Sequence, residues 1–145
     1  MSEPRTFERL TEQSLEEHGQ IHFFLEQLRK ALGDVVPGQA GVEPMRRVAA
    51  ELEGLVERLR EHFQREEEGL FHALVDADET CGADVRRLEN QHERLMEILE
   101  MARIHAARGE AADAALLKED IEGFMAVLAA HEGAEDALFR RTLAG

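Results

Sequence analysis

A regular apolar pattern in the middle of the chain is interrupted by two polar residues. The apolar positions step by four, three and four residues, as on one buried face of a helix: Val48, Leu52, Leu55 and Leu59. The same steps lead next to His62 and then to Glu66, within the stretch HFQREEEGLF. An imidazole and a carboxylate one helical turn apart, on a face that should be apolar, indicate a polar site in the core.

The last part of the chain repeats this arrangement. Steps of four and three lead to His131 and Glu135 and continue beyond them: Leu117, Ile121, Phe124 and Leu128, then Leu138 and Thr142. The stretch HEGAEDALF resembles HFQREEEGLF but has one residue fewer before its Leu-Phe pair. Two other stretches, LEEHGQIHFFLEQL and RLENQHERLMEILE, also resemble each other and contain His18 and His92. Two similar helix pairs predict a pseudo-two-fold arrangement around a central site.

The first and third predicted helices also carry a histidine on their inward face. In the first helix, the predicted inward positions are Leu15, His18, Ile21 or His22, Leu25 and Leu28. In the third helix, they are Val85, Leu88, His92, Leu95, Leu99 and Ala102. Each of the four helices therefore places one histidine among its core residues.

Few residues in the chain break helices, and the breaks divide it into four segments. The length of 145 residues fits a single domain, residues 1–145, with a core that needs no disulfides. Helix formers dominate, and there are only three prolines, so the predicted fold class is all-α. We predict helices over residues 11–32, 44–75, 83–107 and 111–142, with connections at 33–41, at 76–82 and at Gly109. This pattern predicts an up-down-up-down four-helix bundle.

The charge and the apolar content disfavour several classes of protein. The chain has 17 Lys and Arg against 31 Asp and Glu, a net charge of -14, so we expect neither nucleic acid nor a membrane as a partner. No apolar run reaches the roughly 18 residues of a membrane span, and no secretory signal is expected. Cys81 is the single cysteine, which excludes an internal disulfide and fits a reducing cytoplasm.

The polar core residues form a set of metal-ligand type. The set has one histidine from each helix and two glutamates: His18, His62, His92, His131, Glu66 and Glu135. At ~1.5 Å per residue, the positions of the four histidines along the bundle agree to within roughly 8 Å. Two buried carboxylates would be costly and would repel each other, and cations between them remove both problems. Nitrogen and oxygen donors without thiolate favour iron or manganese, with zinc possible, and six side chains suit two bridged ions.

A ferritin-like di-iron site has a different spacing of ligands. It needs a Glu-x-x-His pair on two helices and a lone Glu on each of the other two. Only Glu89 and His92 have that spacing here, because Leu128 stands three residues before His131. The His-x-x-x-Glu spacing is the better description of this chain.

The order of the motifs resembles the hemerythrin-like family, also called the HHE cation-binding domain. The resemblance covers about residues 10–143 and rests on one ordered motif: His18, His62-x-x-x-Glu66, His92 and His131-x-x-x-Glu135. It implies a four-helix bundle around a non-haem di-iron centre (Fe2+/Fe3+) with an oxo or hydroxo bridge. It also implies that His18 and His62 bind one iron, that His92 and His131 bind the other, and that the two glutamates bridge them.

The chain differs from the oxygen-carrying members of that family in three respects. Those carriers have a further histidine four residues after the one on the third helix, where this chain has Met96. His22, four residues after His18, is either a fifth histidine ligand or a polar residue without metal. The carriers also use an aspartate five residues after the last histidine. Asp136 stands there, but Glu135 keeps the core register and is the preferred ligand.

The remaining polar residues are expected mainly on the surface. The expected solvent-facing residues are His72, His105, Glu16, Glu17, Glu67, Glu68 and Glu132. Gln91 either orients a ligand or is exposed, and Cys81 is expected to be an ordinary thiol.

Two functions are compatible with such a centre. Apolar residues near the histidine level would surround an open coordination position: Ile21, Leu25, Leu59, Leu95, Met96 and Leu128. A tight pocket would select dioxygen or nitric oxide and make the protein a binder or sensor. A wider, wetter pocket would make it a redox enzyme acting on peroxide or in repair of iron or nitrosative damage. A helical interaction module without metal is the third possibility, and the sequence indicates no particular protein partner.

Overall fold

The fold consists of four helical rods. The computed structural model describes residues 2–36 and 42–144. The elements are, in chain order: α1 (Ser2–Gly33), α2 (Val42–Arg65), a π-helical turn (Glu66–Leu70), α3 (Phe71–Ala77), a 3-10 turn (Glu79–Cys81), α4 (Gly82–Arg108) and α5 (Ala111–Ala144). Because Arg65 and Leu70 keep right-handed helical backbone angles, α2, the π-helical turn and α3 form one continuous rod. The all-α four-helix bundle expected from the sequence is confirmed.

The breaks between the rods follow from local backbone chemistry. At the end of α4, Gly109 has a φ of 65°, which L side chains rarely adopt, and its N–H donates to the carbonyl of His105. After α3, Asp78 is extended and its side chain accepts hydrogen bonds from the N–H and hydroxyl of Thr80. Both predicted breaks are therefore found, whereas α1 begins at Ser2, well before the expected residue 11. The predicted connection 33–41 lies partly outside the described residues.

Two apolar clusters fill the core, and the polar motif residues lie between them on every rod. The larger cluster includes the second half of α1, most of α2, the second half of α4 and the first half of α5. The smaller cluster occupies the other end of the bundle: Phe7, Leu70, Phe71, Leu74, Cys81, Val85, Leu88, Leu138 and Phe139. Burial of these side chains holds the rods together and thereby fixes the level at which the histidines face one another.

The sequence-based expectations about the burial of Leu15 and His105 are wrong. Leu15, expected on the inward face of α1, is 46% exposed, and the buried Ser14 takes that position. The inward face of α1 runs through Thr11, Ser14 and His18, so a small hydroxyl replaces the expected leucine. His105, expected at the surface, is buried, with its Nδ1 2.7 Å from Asp120 Oδ2.

The outward faces of the helices are polar and carry ion pairs between neighbouring turns. The exposed pairs include Arg46 with Glu43, and Arg60 with Glu57. Such pairs contribute little to stability because water screens them. None of the helices within residues 2–36 and 42–144 is both long and apolar enough to cross a membrane.

Candidate metal centre

One histidine from each rod and two glutamates converge between the two apolar clusters. Their ligand-type atoms form two groups, and within each group all atoms lie within 4.8 Å of one another. The first group is His18, His62, Glu66 and Glu135, and the second is Glu66, His92, His131 and Glu135. The structure thus brings together six of the seven residues proposed as ligands from the sequence, and both glutamates belong to both groups.

The carboxylate of Glu66 faces histidines of both groups. Its Oε2 lies 3.3 Å from His62 Nε2 and 3.8 Å from His18 Nε2. Its Oε1 lies 3.1 Å from His92 Nε2. Ser14 Oγ donates a hydrogen bond of 2.8 Å to Oε2, which fixes the carboxylate from the α1 side. The two oxygens therefore point in the two directions that a bridging carboxylate requires.

Glu135 has the same relation to the two groups. Its Oε1 lies 3.3 Å from His18 Nε2, and its Oε2 lies 3.4 Å from His131 Nε2 and 3.9 Å from His92 Nε2. Its side chain is completely buried. A carboxylate at this depth needs positive charge beside it, because burial of an unpaired charge is strongly unfavourable.

The inward-facing atoms of the cluster lack hydrogen-bond partners among the described residues. These buried atoms are His18 Nε2, Glu66 Oε1, His92 Nε2, His131 Nε2, and Oε1 and Oε2 of Glu135. Their mutual contacts are within ion-pair distance but lack the geometry of hydrogen bonds. Buried polar atoms are rarely left without a partner, because each one destabilises the fold. Cations placed between them would satisfy all of these atoms, so the residues fit metal ions that take nitrogen and oxygen donors.

Without a metal ion, protons on the histidines supply the positive charge that the two carboxylates attract. Burial would lower the pKa of His18, but the carboxylates of Glu135 and Glu66 outweigh it and raise the pKa to about 10. Burial would also lower the pKa of His92, and the same two carboxylates raise it to about 9. The pKa of His62 is raised as well, because Glu66 outweighs the effect of burial. The cluster therefore attracts positive charge.

Both glutamates remain anionic in this environment. Burial would raise the pKa of Glu66, but the neighbouring imidazoles of His18, His62 and His92 hold it well below its usual value. Burial and the charge of Glu66 would raise the pKa of Glu135, but the histidines, His131 foremost, lower it. The ionised carboxylate is the form that binds a metal.

Three of the four histidines also form a hydrogen bond on their outer side. His62 Nδ1 lies 2.8 Å from Glu17 Oε1, and His92 Nδ1 lies 2.7 Å from Glu67 Oε2. His131 Nδ1 lies 2.7 Å from Gln91 Oε1. An outer acceptor of this kind keeps the proton on Nδ1 and leaves the Nε2 lone pair facing inward. His18 is different, because its Nδ1 lies 3.7 Å from the nearest Glu132 oxygen.

The expectation that Glu17 and Glu132 face solvent is wrong, because their side chains are only 13% and 14% exposed. Glu67 is 38% exposed, as expected of a surface residue, but it also contacts His92. Glu17 is bound to His62 and to Arg65, whose Nε lies 2.6 Å from its Oε2. Glu17, Glu67 and Glu132 each contact a histidine on a different rod. Spacing along one helix therefore does not reveal these contacts. For Gln91, the alternative that it orients a histidine is the one that the structure shows.

The seventh proposed ligand, His22, lies outside both groups. Its side chain is 59% exposed, and its Nε2 lies 2.9 Å from Glu132 Oε1. Asp136 and Met96, the two other positions compared with the oxygen carriers, also lie outside both groups. Asp136 points outward and pairs with Arg140 at 2.9 Å, while Met96 packs at the edge of the larger apolar cluster.

Two of the spaces beside the cluster differ in size and polarity. A cavity of about 660 Å³ opens between α2 and α4 and is lined by Arg60, Phe63, Gln64, Glu67, Glu68, His92, Glu93, Met96, Glu97 and Glu100. A narrow crevice beside the first group leaves no room for a water-sized molecule and includes Ile21, Leu59 and Leu128 in its wall. The cluster therefore has a wide acidic side and a tight apolar side.

Comparison with protein families gives one match. The sequence model described as "Hemerythrin HHE cation binding domain" matches residues 9–143 of the chain. No curated protein and no solved structure matches it. The matched range contains all seven proposed ligands, so the similarity extends over the entire candidate centre.

Proposed function

The chain belongs to the hemerythrin HHE cation-binding family, and on that premise we propose that it binds two non-haem iron ions and uses them to bind or sense dioxygen or nitric oxide. The observation that carries the proposal is the sharing of Glu66 and Glu135 by both groups of candidate ligands. A single ion would leave two of the four histidines without a partner. Two ions bridged by both carboxylates would use all six side chains.

Iron is the proposed metal because of the donor set and the chemistry required. Nitrogen and oxygen donors without thiolate suit iron or manganese, and zinc would bind but has no redox chemistry. When bound, a pair of ferrous ions supplies electrons to dioxygen. The one thiol, Cys81, lies apart from the cluster beside Thr142 and Arg141.

The protein side chains would hold the ions in a fixed geometry. The outer acceptors Glu17, Glu67 and Gln91 orient three imidazoles so that Nε2 faces the carboxylates. Ser14 fixes one oxygen of Glu66 in the same way. The proposed centre therefore needs little reorganisation to accept metal, apart from release of the protons that the histidines carry.

The narrow apolar crevice supports a function in binding or sensing. Ile21, Leu59 and Leu128 lie against His18 and Glu135 and leave no space for water. Only a small neutral molecule could enter after slight side-chain movement. Exclusion of water from this side protects a reduced ion pair from side reactions.

The wide cavity is the observation that favours a second function, a di-iron redox enzyme. Its volume of about 660 Å³ far exceeds that of a diatomic molecule, and His92 forms part of its wall. Such a space would hold peroxide and water beside the outer edge of His92. The enzyme would act on peroxide or in repair of iron or nitrosative damage, and it would use the same ligands with repeated turnover.

The setting that we propose is a reducing cytoplasm. The single cysteine supports it. The acidic charge of -14 disfavours nucleic acid and anionic lipid as partners. The proposed partner is therefore a small diatomic molecule or peroxide.

Metal content and spectra would test the proposal. The protein would be purified from iron-replete cells, its metal counted, and its absorption recorded before and after anaerobic reduction and exposure to air. Two irons per chain, with an oxygenated spectrum that is stable and reversible, would support a binder or sensor. Two irons that reoxidise at once and consume peroxide over many turnovers would support the enzyme.

Two variants and a control make this test decisive. His62→Ala and His131→Ala should each reduce the iron content. His72→Ala replaces an exposed histidine outside both groups and should leave it unchanged. Full metal content in both ligand variants would contradict the binder and the enzyme alike.

A further inference from the structure

We infer that the two proposed ions are held unequally, and that the ion bound by His18 and His62 is the one that exchanges with the solvent, because no outer hydrogen bond restrains His18. The inference rests on the proposed function, since it presumes two bound ions. It concerns the retention of the metal rather than the reaction that the metal supports.

Within the described part of the chain, three of the four histidines form an outer hydrogen bond, and His18 does not. His62, His92 and His131 each place Nδ1 within 2.8 Å of an acceptor oxygen. Each of these rings is also almost fully buried, with 1–2% of the side chain exposed. A ring held at Nδ1 cannot rotate about its χ angles without breaking that bond, so Nε2 remains in place.

His18 has neither restraint within the described residues. Its Nδ1 lies 3.7 Å from Glu132 Oε2, beyond hydrogen-bond distance, and its side chain is 12% exposed. The imidazole of His18 is therefore held less firmly in position than the other three.

The carboxylate nearest to His18 Nδ1 is that of Glu132, and only its other oxygen forms a hydrogen bond. Glu132 Oε1 lies 2.9 Å from His22 Nε2, and this contact faces the solvent. The other oxygen, Oε2, is buried and has no hydrogen-bond partner among the described residues. Glu132 is thus drawn towards His22 and leaves His18 without the bond that the other three histidines have.

The wide cavity beside His92 does not offer the other ion an equal route. Glu67 is in the cavity wall and binds His92 Nδ1. The ring of Phe63 stacks on the imidazole at a centroid distance of 3.9 Å and an angle of 10°. The cavity therefore reaches the outer edge of His92 and not its Nε2, which remains enclosed.

The consequence is a difference in release rates. Loss of a single outer hydrogen bond lowers the metal affinity of a histidine site by about 10- to 100-fold. Fe2+ bound by His18 and His62 should therefore leave faster than Fe2+ bound by His92 and His131, by about that factor. A ferrous chelator added in excess to protein loaded anaerobically with Fe2+ would then remove one ion quickly and one slowly.

Gln91 provides the test, because it is only partly buried and its replacement need not disturb the core. Gln91→Leu removes the acceptor for His131. The rate of the slow phase of Fe2+ release should therefore rise until it is close to the rate of the fast phase. Gln91→Glu retains an acceptor and should preserve two separate phases. Wild-type release in one phase, or unchanged rates in Gln91→Leu, would overturn the inference.

A second pair of variants assigns the phases. His18→Ala should retain one Fe2+ with slow release, and His131→Ala should retain one with fast release; the opposite result would overturn the assignment. If either variant loses both ions, the Gln91 pair decides. Fewer than two ions in the wild-type protein would contradict the proposed function itself, whereas two ions released together would contradict only this inference.

Discussion

The two rods with a His-x-x-x-Glu pair differ by one residue and yet bury the same Leu-Phe pair. Leu70 follows His62 by eight residues, whereas Leu138 follows His131 by seven. An extra residue in a regular helix would rotate everything after it by about 100°. The π-helical turn Glu66–Leu70 accommodates the extra residue locally, and α5 has no such turn. Both Leu-Phe pairs therefore reach the smaller apolar cluster.

The extra residue also changes the role of the side chain directly after the glutamate. In α5 that side chain is Asp136, which points outward to Arg140. In the π-helical turn it is Glu67, which reaches His92 Nδ1 at 2.7 Å. The wider turn thus lets one segment supply two carboxylates to the centre, one beside the inner nitrogens and one beside an outer nitrogen.

The residue after each motif histidine differs in the same way. Phe63 follows His62, is buried, and stacks on His92. Glu132 follows His131 and pairs with His22 near the surface. One motif therefore supports the centre by apolar packing, while the other links it to a polar surface.

The largest effect on metal binding is expected from replacing Glu66 or Glu135. Both His-x-x-x-Glu motifs should contribute equally to this binding. Glu66→Gln and Glu135→Gln each remove one bridging charge and should lower bound iron from two ions per chain to one or none. Asp136→Asn, in an exposed ion pair, is the matched control and should keep both ions. Retention of two ions in only one of the glutamate variants would show that the motifs are not equivalent.

The next effect concerns the residues directly after the histidines. Phe63→Ala should lower the free energy of unfolding of the metal-free protein by about 3–5 kcal/mol, because it removes a buried ring. Glu132→Ala removes a partly exposed ion pair and should cost less than about 1 kcal/mol. Urea unfolding measures both. Equal losses of unfolding free energy in the two variants would contradict the view that Phe63 supports the centre by apolar packing and Glu132 by a surface ion pair.

A separate effect is the pH dependence of the stability of the metal-free protein. The pKa values of His18 and His92, raised from 6.5 to about 10 and about 9, mean that the folded state holds these protons more tightly than the unfolded state. Their contribution to stability is complete below pH 6.5 and is lost as the pH rises through 9 to 10. Urea unfolding at several pH values should show this loss without metal. In metal-loaded protein, stability should instead rise with pH over the lower part of this range, because fewer protons compete with the ions.

The smallest expected effect is that of deleting the extra residue. Removal of the exposed Glu68 gives the second rod the same spacing as α5. We expect the Leu-Phe pair to stay buried and the helical content to be unchanged, while loss of the Glu67–His92 bond weakens metal binding by about tenfold. Circular dichroism and metal titration measure the two results. Unfolding of the deletion variant would show that the π-helical turn is required for the fold.

The inward faces of the helices could be predicted from the sequence because a single period governs them. Steps of three and four residues correctly place His62, His92, His131 and both glutamates in the core. The positions of the histidines along helices of similar length also predict that they lie at one level of the bundle. Leu15 is misplaced by this reasoning because Ser14 and Leu15 compete for one position, and hydrophobicity alone favours leucine. The bond from Ser14 to Glu66 reverses that choice.

The outer partners of the histidines could not be predicted, because they depend on contacts between rods. Glu17, Glu67 and Gln91 have no distinctive spacing along their own helices. Each reaches its histidine only after the rods have packed at a particular rotation. The extra residue before Leu70 is visible in the sequence, but whether it forms a loop or a π-helical turn depends on the packing of Phe71 and Leu74 beyond it.

The stacking of Phe63 on His92 has a consequence for electron transfer. Tyrosine and tryptophan are the aromatic side chains that can be oxidised readily and can relay an electron hole, and this chain contains neither. The aromatic ring in closest contact with the centre is therefore one that cannot act as a relay. Electrons for the proposed centre would therefore have to come from an external reductant by a path without tyrosine or tryptophan. Met96, whose side chain lines the wide cavity together with His92, would be exposed to any oxidant that entered that cavity.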